Sequence, residues 1–324
     1  MSRTVLVTGG LGMLGSAAVR QLVRRGDAVR VLDCRLPRHG ANDQNLADEA
    51  GRFELIEADL RDAEALKRAL AGVDAVVHAA GHVSHVAGVE APQRDVAHNV
   101  EASVALLDGV RRVCPEARLV FCSTRGVYGA PEALPVSERA PLAPRGMHEW
   151  SKVAAEEAFR TFGRLHGLTS VSLRITNAYG PGGQLKSPEF GVITWWVGQA
   201  LQGLPIKVFG DGLVRRDLVF VDDIAEAVIA AVDSPEALPE VINVGSPEGL
   251  SLREIAAAIC DAVGPEARYE LVPYTAARKA MEVGDFVSDI TLAQRHLAWA
   301  PRTALDAGMR RTVSHYRQHL RAYV

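Results

Sequence analysis

The chain has little of what builds an extracellular, membrane or nucleic-acid-binding protein. Its 324 residues include only four cysteines (Cys34, Cys114, Cys122 and Cys260), with no C-x-x-C pair and no histidine at metal-ligand spacing. That excludes a disulfide framework and a zinc ribbon, and it predicts a reduced, cytoplasmic protein. No apolar run reaches the roughly 18 residues of a membrane span. Met1-Ser2-Arg3-Thr4 runs straight into a strand pattern, so no signal peptide is expected. A net charge of only −3 gives no general attraction for nucleic acid. Internal repeats and low-complexity tracts are also missing. What is present is ordinary for a globular chain: 48% hydrophobic residues, 23% charged residues and a mean hydropathy of +0.04. The length exceeds one typical core and suits a cofactor domain with a smaller partner domain.

Through the first half, apolar runs alternate with helical spacing. Residues 4–8, 28–32, 53–58, 75–78, 118–122 and 170–175 predict strands, and 15–25, 63–71, 95–113 and 149–166 predict helices. Such alternation implies right-handed βαβ crossovers and an α/β fold, a Rossmann-type doubly wound parallel sheet covered on both faces. Residues 130–147 hold four prolines and residues 179–188 read YGPGGQLKSP, so both are expected to be functional loops. After residue 175 the pattern loosens into short elements, which suits a smaller α+β substrate domain. Residues 218–232 look like a strand and helix returning to the first unit. The expected boundaries are 1–175 plus about 218–245 for the cofactor unit, with about 176–217 and 246–310 for the substrate unit.

The first strand ends in Thr8-Gly9-Gly10-Leu11-Gly12-Met13-Leu14-Gly15, where a helix opens. Glycines there serve a tight turn, a close approach of backbone to a pyrophosphate, and close helix–strand packing. The second strand leads to Asp33, whose carboxylate suits ribose hydroxyls and repels a 2′-phosphate, favouring NAD over NADP; Arg35 beside it argues the other way. Asp59-Leu60 follows the third strand, where Asp59 is either a partner for the adenine amino group or an N-cap for the next helix.

These residues carry a resemblance. TGGLGMLG (8–15), HAAG (78–81), CSTRGVYG (122–129), SK (151–152), LRITNAYGPG (173–182), RRDLVFVDDIAEA (215–227) and SDITLAQRHLAWAP (288–301) occur in order. Together they resemble the extended short-chain dehydrogenase/reductases, the NAD-dependent sugar-nucleotide epimerases and dehydratases, over nearly the whole chain. The resemblance implies a cofactor site of Gly9, Gly12, Met13, Leu14, Gly15, Asp33, Asp59, Leu60, His78, Ala79, Ala80, Asn99, Lys152 and Ile175. In that family a Tyr-x-x-x-Lys pair and a Ser or Thr carry the chemistry. The Tyr moves the sugar hydroxyl proton while C4 exchanges a hydride with the nicotinamide. Lys152 matches the Lys and Thr124 the hydroxyl residue, with Ser123 beside it.

The position four before Lys152 is His148 instead of Tyr. A neutral imidazole accepts a proton, and its reference pKa of about 6.5 suits neutral pH better than a phenol's value of about 10. Lys152 and the nicotinamide charge would keep the ring neutral. Reach argues against it: histidine falls roughly 2 Å short of a tyrosine hydroxyl, and a misplacement of about 1 Å costs on the order of 100-fold. Three readings stay open: His148 as replacement base, another base or none, and a catalytically silent protein.

After Thr124 the family's 4,6-dehydratases carry Asp-Glu and its decarboxylases a Glu, whereas this chain has Arg125-Gly126. Elimination by that route is disfavoured, and epimerisation by oxidation, ketone rotation and reduction becomes the expected reaction. Arg125 is either solvated or points inward to read a carboxylate or phosphate. By resemblance, Asn177 and Arg216 contact the substrate diphosphate, Lys207 and Phe209 lie on the strand lining the nucleotide base, and Val192 faces the substrate. A second family arginine falls near Glu282, where a carboxylate would repel the diphosphate; Arg278 and Lys279 just upstream are candidate substitutes. His82 and His85 either edge the sugar pocket or are solvated, and Tyr128 is read as packing. The helices at 95–113 and 149–166 resemble those that pair across a dimer, so a homodimer binding a small nucleotide sugar, and no nucleic acid, membrane or metal, is expected. Two rivals remain: a reductase, dehydrogenase or dehydratase on a modified or non-nucleotide substrate, and a catalytically silent NAD-binding protein.

Overall fold

The computed structural model describes residues 3–36, 39–83, 91–275, 279 and 282–324. The first strands are β1 (Thr4–Thr8), β2 (Ala28–Asp33), β3 (Glu54–Glu57), β4 (Ala75–His78), β5 (Arg118–Thr124) and β6 (Ser170–Ile175). They join a seventh, β11 (Val241–Val244), in one parallel sheet of order β11-β6-β5-β4-β1-β2-β3. Alternation along each strand explains the two covered faces. Val5, Val7, Val29, Val31 and Val77 enter one core, while Leu6, Leu32, Val76, Leu119 and Phe121 enter the other.

Helices α1 (Met13–Arg24), α2 (Ala63–Leu70), α3 (Ala102–Val113) and α4 (Met147–His166) flank the sheet. Asp62, and not Asp59, caps α2: its Oδ1 accepts from the Glu64 and Ala65 amides at 3.1 Å each. The stretch expected as one helix over 95–113 is built in three pieces. A short turn, Pro92–Asp95, passes into a π-helical turn, Val96–Glu101, and then into α3. The π turn carries the buried Asn99.

Beyond β6 the chain forms short strands: β7 (Asn177–Tyr179), β8 (Ile206–Phe209), β9 (Arg215–Arg216), β10 (Leu218–Phe220), β12 (Leu250–Ser251) and β13 (Tyr269–Val272). They pair as β7 with β10, β8 with β13, and β9 with β12. Helices α5 (Val192–Leu201), α7 (Leu252–Val263) and α9 (Leu305–Tyr323) close a separate core around Trp196, Val208, Ile255, Met309 and Tyr316. This core reaches Tyr323, past the expected limit near residue 310. Helix α6 (Val221–Asp233) packs on α1 through Ala17, Val221 and Ala225. Helix α8 (Thr291–Leu297) was expected in the smaller unit, but Ile290, Ala293, Leu297 and Trp299 join the sheet's own core. Among the described residues, no helix is long and apolar enough to cross a membrane.

Strand β1 lies between β4 and β2, so consecutive crossovers leave it in opposite directions. In such a sheet the ligand crevice is expected at the carboxyl ends of β1 and β4, where the strand order reverses.

Candidate active site

The glycine turn sits at that crevice. Gly9 holds φ +68, and a Cβ there would lie 2.6 Å from the Ala80 Cα; one on Gly15 would lie 2.2 Å from the Gly9 carbonyl oxygen. The two glycines therefore let β1, α1 and the loop after β4 touch backbone to backbone. Gly12 caps α1 without a side-chain hydrogen bond, and the first turn holds no acidic residue. Met13, Leu14 and Gly15 thus present their amides at a positive helix end with no side chain competing for them, which fits a pyrophosphate.

Asp33 is buried at the end of β2, where burial pushes its carboxyl up and the Leu11 and Arg35 amides donate to it at 3.1 and 2.9 Å. Arg35 turns its guanidinium to Glu57 and Asp43. It is committed there, away from a 2′-phosphate role, so the pocket fits NAD. Asp59 is held by Arg61 through its amide and guanidinium, whose side-chain hydrogen bonds pull the carboxyl down to about 2. Leu60 is buried and joins the Leu6 and Leu32 core.

At the floor, His78 is fully enclosed between Thr8 Oγ1 at 2.7 Å and Ser103 Oγ at 3.1 Å. Burial, assisted by the Lys152 charge, pushes its pKa down to about 3, so the ring is neutral. Lys152 on α4 is buried; its Nζ donates to the Cys122 carbonyl at 3.2 Å and lies 4.8 Å from the Phe121 ring centre. Burial pushes its pKa down to about 8. A Cβ on Gly81 would meet Asn99 Oδ1 at 2.9 Å and Lys152 Nζ at 3.0 Å, so the loop after Ala79 and Ala80 runs directly over the lysine. Ile175 closes β6 opposite Thr124 in register.

His148 is buried in the first turn of α4, and its Nδ1 lies 2.9 Å from the His82 carbonyl oxygen. A carbonyl only accepts, so Nδ1 carries a proton, which leaves Nε2 as the ring nitrogen on the opposite side. The same carbonyl accepts from Asn99 Nδ2 at 3.1 Å, and Asn99 Oδ1 receives the His82 amide at 2.8 Å. Asn99 also donates to Ser151 Oγ, which donates to the His148 carbonyl. The base candidate and the cofactor-side loop are thereby one hydrogen-bonded unit. His82 is not solvated: its ring is buried and held to Asp95 Oδ1 at 2.8 Å, between His39 and His98. Its backbone, not its ring, is what meets Asn99 and His148. His85 and Arg278 lie outside the described residues.

Thr124 ends β5 half-buried and accepts the Gly126 amide at 3.1 Å. Ser123 takes no place beside it, because its hydroxyl donates to Glu156, the buried partner of Arg174. Tyr128 packs as expected: its hydroxyl donates to Asn243 at 2.6 Å beneath the Arg174 guanidinium. The expectation missed Glu149, which is buried just after His148. A Cβ on Gly126 would lie 2.7 Å from Glu149 Cγ and 3.4 Å from both Glu149 Oε1 and Thr124 Oγ1. A carboxylate thus does reach the Thr124–Gly126 turn, delivered by α4; its sequence signal was a Glu in the first helical turn beside the base.

On the substrate side, Arg125 is half-buried, with Cζ 4.8 Å from the Phe286 ring centre and Nη2 3.5 Å from Asn177 Oδ1. Asn177 Nδ2 donates to the Asp217 carbonyl at 3.1 Å. Glu282 does not leave Arg216 to face a diphosphate unopposed; it pairs with it at 2.5 Å. Phe209 stacks near Tyr274, while Lys207 and Lys279 are exposed and Val192 is half-buried at the start of α5. Among the described residues no group of three His, Cys, Asp or Glu side chains forms a metal site.

Residues 5–245 match the model of the NAD dependent epimerase/dehydratase family. The chain is 34% identical over 318 residues to a UDP-glucose 4-epimerase of Mycolicibacterium smegmatis, covering 96% of this chain and 98% of the relative. It superposes with a TM-score of 0.85 on the Thermus thermophilus UDP-glucose 4-epimerase in complex with NAD, at 33% identity, covering 97% of this chain and 99% of the other. The Thermotoga maritima UDP-glucose 4-epimerase with UDP-glucose gives a TM-score of 0.86 at 29% identity, covering 98% and 99%. A parallel seven-stranded sheet, a glycine cradle at its crevice and a buried lysine four residues after the base candidate accord with these likenesses, and the chain belongs to the NAD-dependent epimerase/dehydratase family.

Proposed function

We propose that this protein interconverts C4 epimers of a uridine diphosphate sugar, with His148 as proton carrier, Lys152 orienting the cofactor and Thr124 holding the reacting oxygen. The observation that carries this reading is the placement of His148, which is buried one helical turn from the buried Lys152 with its Nδ1–H held by the His82 carbonyl and Nε2 on the opposite side of the ring. The relatives' names supply the uridine nucleotide. Bound at the glycine turn, NAD supplies the reversible hydride acceptor for C4. His148 takes the hydroxyl proton and returns it. Thr124 orients that oxygen, and Lys152 places a buried cation beneath the reacting centre. Asn177 and Arg216 face the diphosphate, Arg216 exchanging Glu282 for it. A homodimer through α3 and α4 belongs to the same proposal, supported by the exposed Val104 and Trp150 on these helices; a monomeric mass in sedimentation refutes it.

The test is proton NMR of UDP-glucose, UDP-galactose and UDP-glucuronate, beside dTDP- and GDP-sugars, with NAD and either wild type or His148→Phe. Wild type should convert one UDP-sugar to its C4 epimer, and the variant should lose about 100-fold or more in rate. Equal turnover by the variant removes His148 from the mechanism. No conversion of any sugar, with NAD bound, overturns the epimerase reading.

A further inference from the structure

Arg125 is a half-buried cation beside the site. Its guanidinium leaves the end of β5 directly after Thr124 and sits over the Phe286 ring, Cζ 4.8 Å from the centre, with one long hydrogen bond, 3.5 Å, to Asn177. It forms no ion pair with any described carboxylate. Of the neighbouring acids, Glu282 and Asp217 are occupied. Glu282 is paired with Arg216. Asp217 accepts from Thr176 Oγ1, from Ser288 through both amide and hydroxyl, and from the Ser246 amide. Glu149 lies against Gly126 and Gly146. The nearby Arg216 charge adds repulsion, and together with the dominant effect of burial it pushes the Arg125 pKa down to about 10. The Phe286 face offsets part of this, but a planar fork of five donors is left with one weak acceptor. A charge is kept in such a place when a partner arrives to satisfy it.

The partner's position follows from the flanking residues. Arg125 spans the gap between Thr124, at the reacting oxygen, and Asn177 beside Arg216, at the diphosphate end. A group meeting its fork therefore sits on the sugar between those two points. We infer that Arg125 selects a sugar bearing a carboxylate, a uronic acid nucleotide, over the neutral hexose; this rests on the nucleotide-sugar reading above. Bidentate guanidinium–carboxylate pairing supplies both the geometry and the discrimination.

The test is calorimetric titration of NAD-loaded wild type, Arg125→Met and Arg125→Lys with UDP-glucuronate, UDP-glucose and UDP, with a thermal melt of each protein. Wild type should bind UDP-glucuronate at least about tenfold tighter than UDP-glucose. Arg125→Met, which keeps bulk over Phe286, should bring that ratio close to one without changing affinity for UDP. Arg125→Lys should hold an intermediate ratio, and it carries the test if the methionine variant melts early. Wild type that binds UDP but shows no uronate preference overturns the inference and leaves the nucleotide-sugar reading standing. An equal loss for UDP and both sugars in Arg125→Met assigns the guanidinium to the diphosphate and also overturns it. Wild type that fails to bind UDP overturns both.

Discussion

His78 makes the fold sensitive to acid in a way that one substitution removes. The ring is enclosed between Thr8 and Ser103, and burial, then Lys152, hold its pKa near 3 against 6.5 for a free histidine. Unfolding therefore lets His78 take up a proton throughout the window between these values. The folded pKa is depressed, so stability rises with pH across that window and is lost as pH falls from 6.5 toward 3. Between pH 7 and pH 5 the unfolded chain gains about 2 kcal/mol from this one site. His78→Gln keeps a polar group between the two hydroxyls and cannot titrate. Urea denaturation of both proteins at pH 7 and pH 5 measures the effect as a difference of differences, in which the other nine histidines cancel. The wild type should lose about 2 kcal/mol more than the variant on acidification. Equal acid sensitivity in the two proteins would refute the enclosed neutral ring.

Two further outcomes test the cradle and the substrate arginine. Gly15→Ala puts a methyl group 2.2 Å from the Gly9 carbonyl oxygen, so the turn must open; NADH affinity, followed by fluorescence, should fall by about tenfold or more, and unchanged affinity contradicts the cradle. Glu282→Gln releases the Arg216 guanidinium, and UDP should then bind about three- to tenfold tighter in calorimetry; weaker binding would show that Glu282 positions Arg216 instead of competing with the ligand.

Those features whose cause is local were legible in the sequence. The strands β1, β4 and β6 follow from short apolar runs between turn residues, and the glycine turn follows from spacing alone. Strand β5 runs two residues past its apolar stretch, because Ser123 and Thr124 stay in register with Arg174 and Ile175; an apolar pattern cannot show that. Of the two readings left open for Asp59, the one that made it the cap of α2 lay three residues early, because Asp59 and Asp62 look alike in sequence and Arg61 takes Asp59. Contacts between distant elements were not legible. Asp95 removes His82 from solvent across a loop, Glu156 and Arg174 bury an ion pair that claims Ser123, and Glu282 meets Arg216 from 66 positions away.

The hydrogen bond from His148 to the His82 carbonyl also limits where a proton can travel. A carboxylate behind the ring could share a proton and open a path outward, but an amide carbonyl near neutral pH does not take one up. On the Nδ1 side the route is a dead end, so traffic through the imidazole enters and leaves by Nε2 alone. A proton lifted from a sugar hydroxyl is therefore kept beside the oxygen it came from. That arrangement suits a reaction whose products carry as many protons as its substrates: epimerisation closes its proton cycle within the pocket, whereas a net dehydrogenation must export a proton at every turnover.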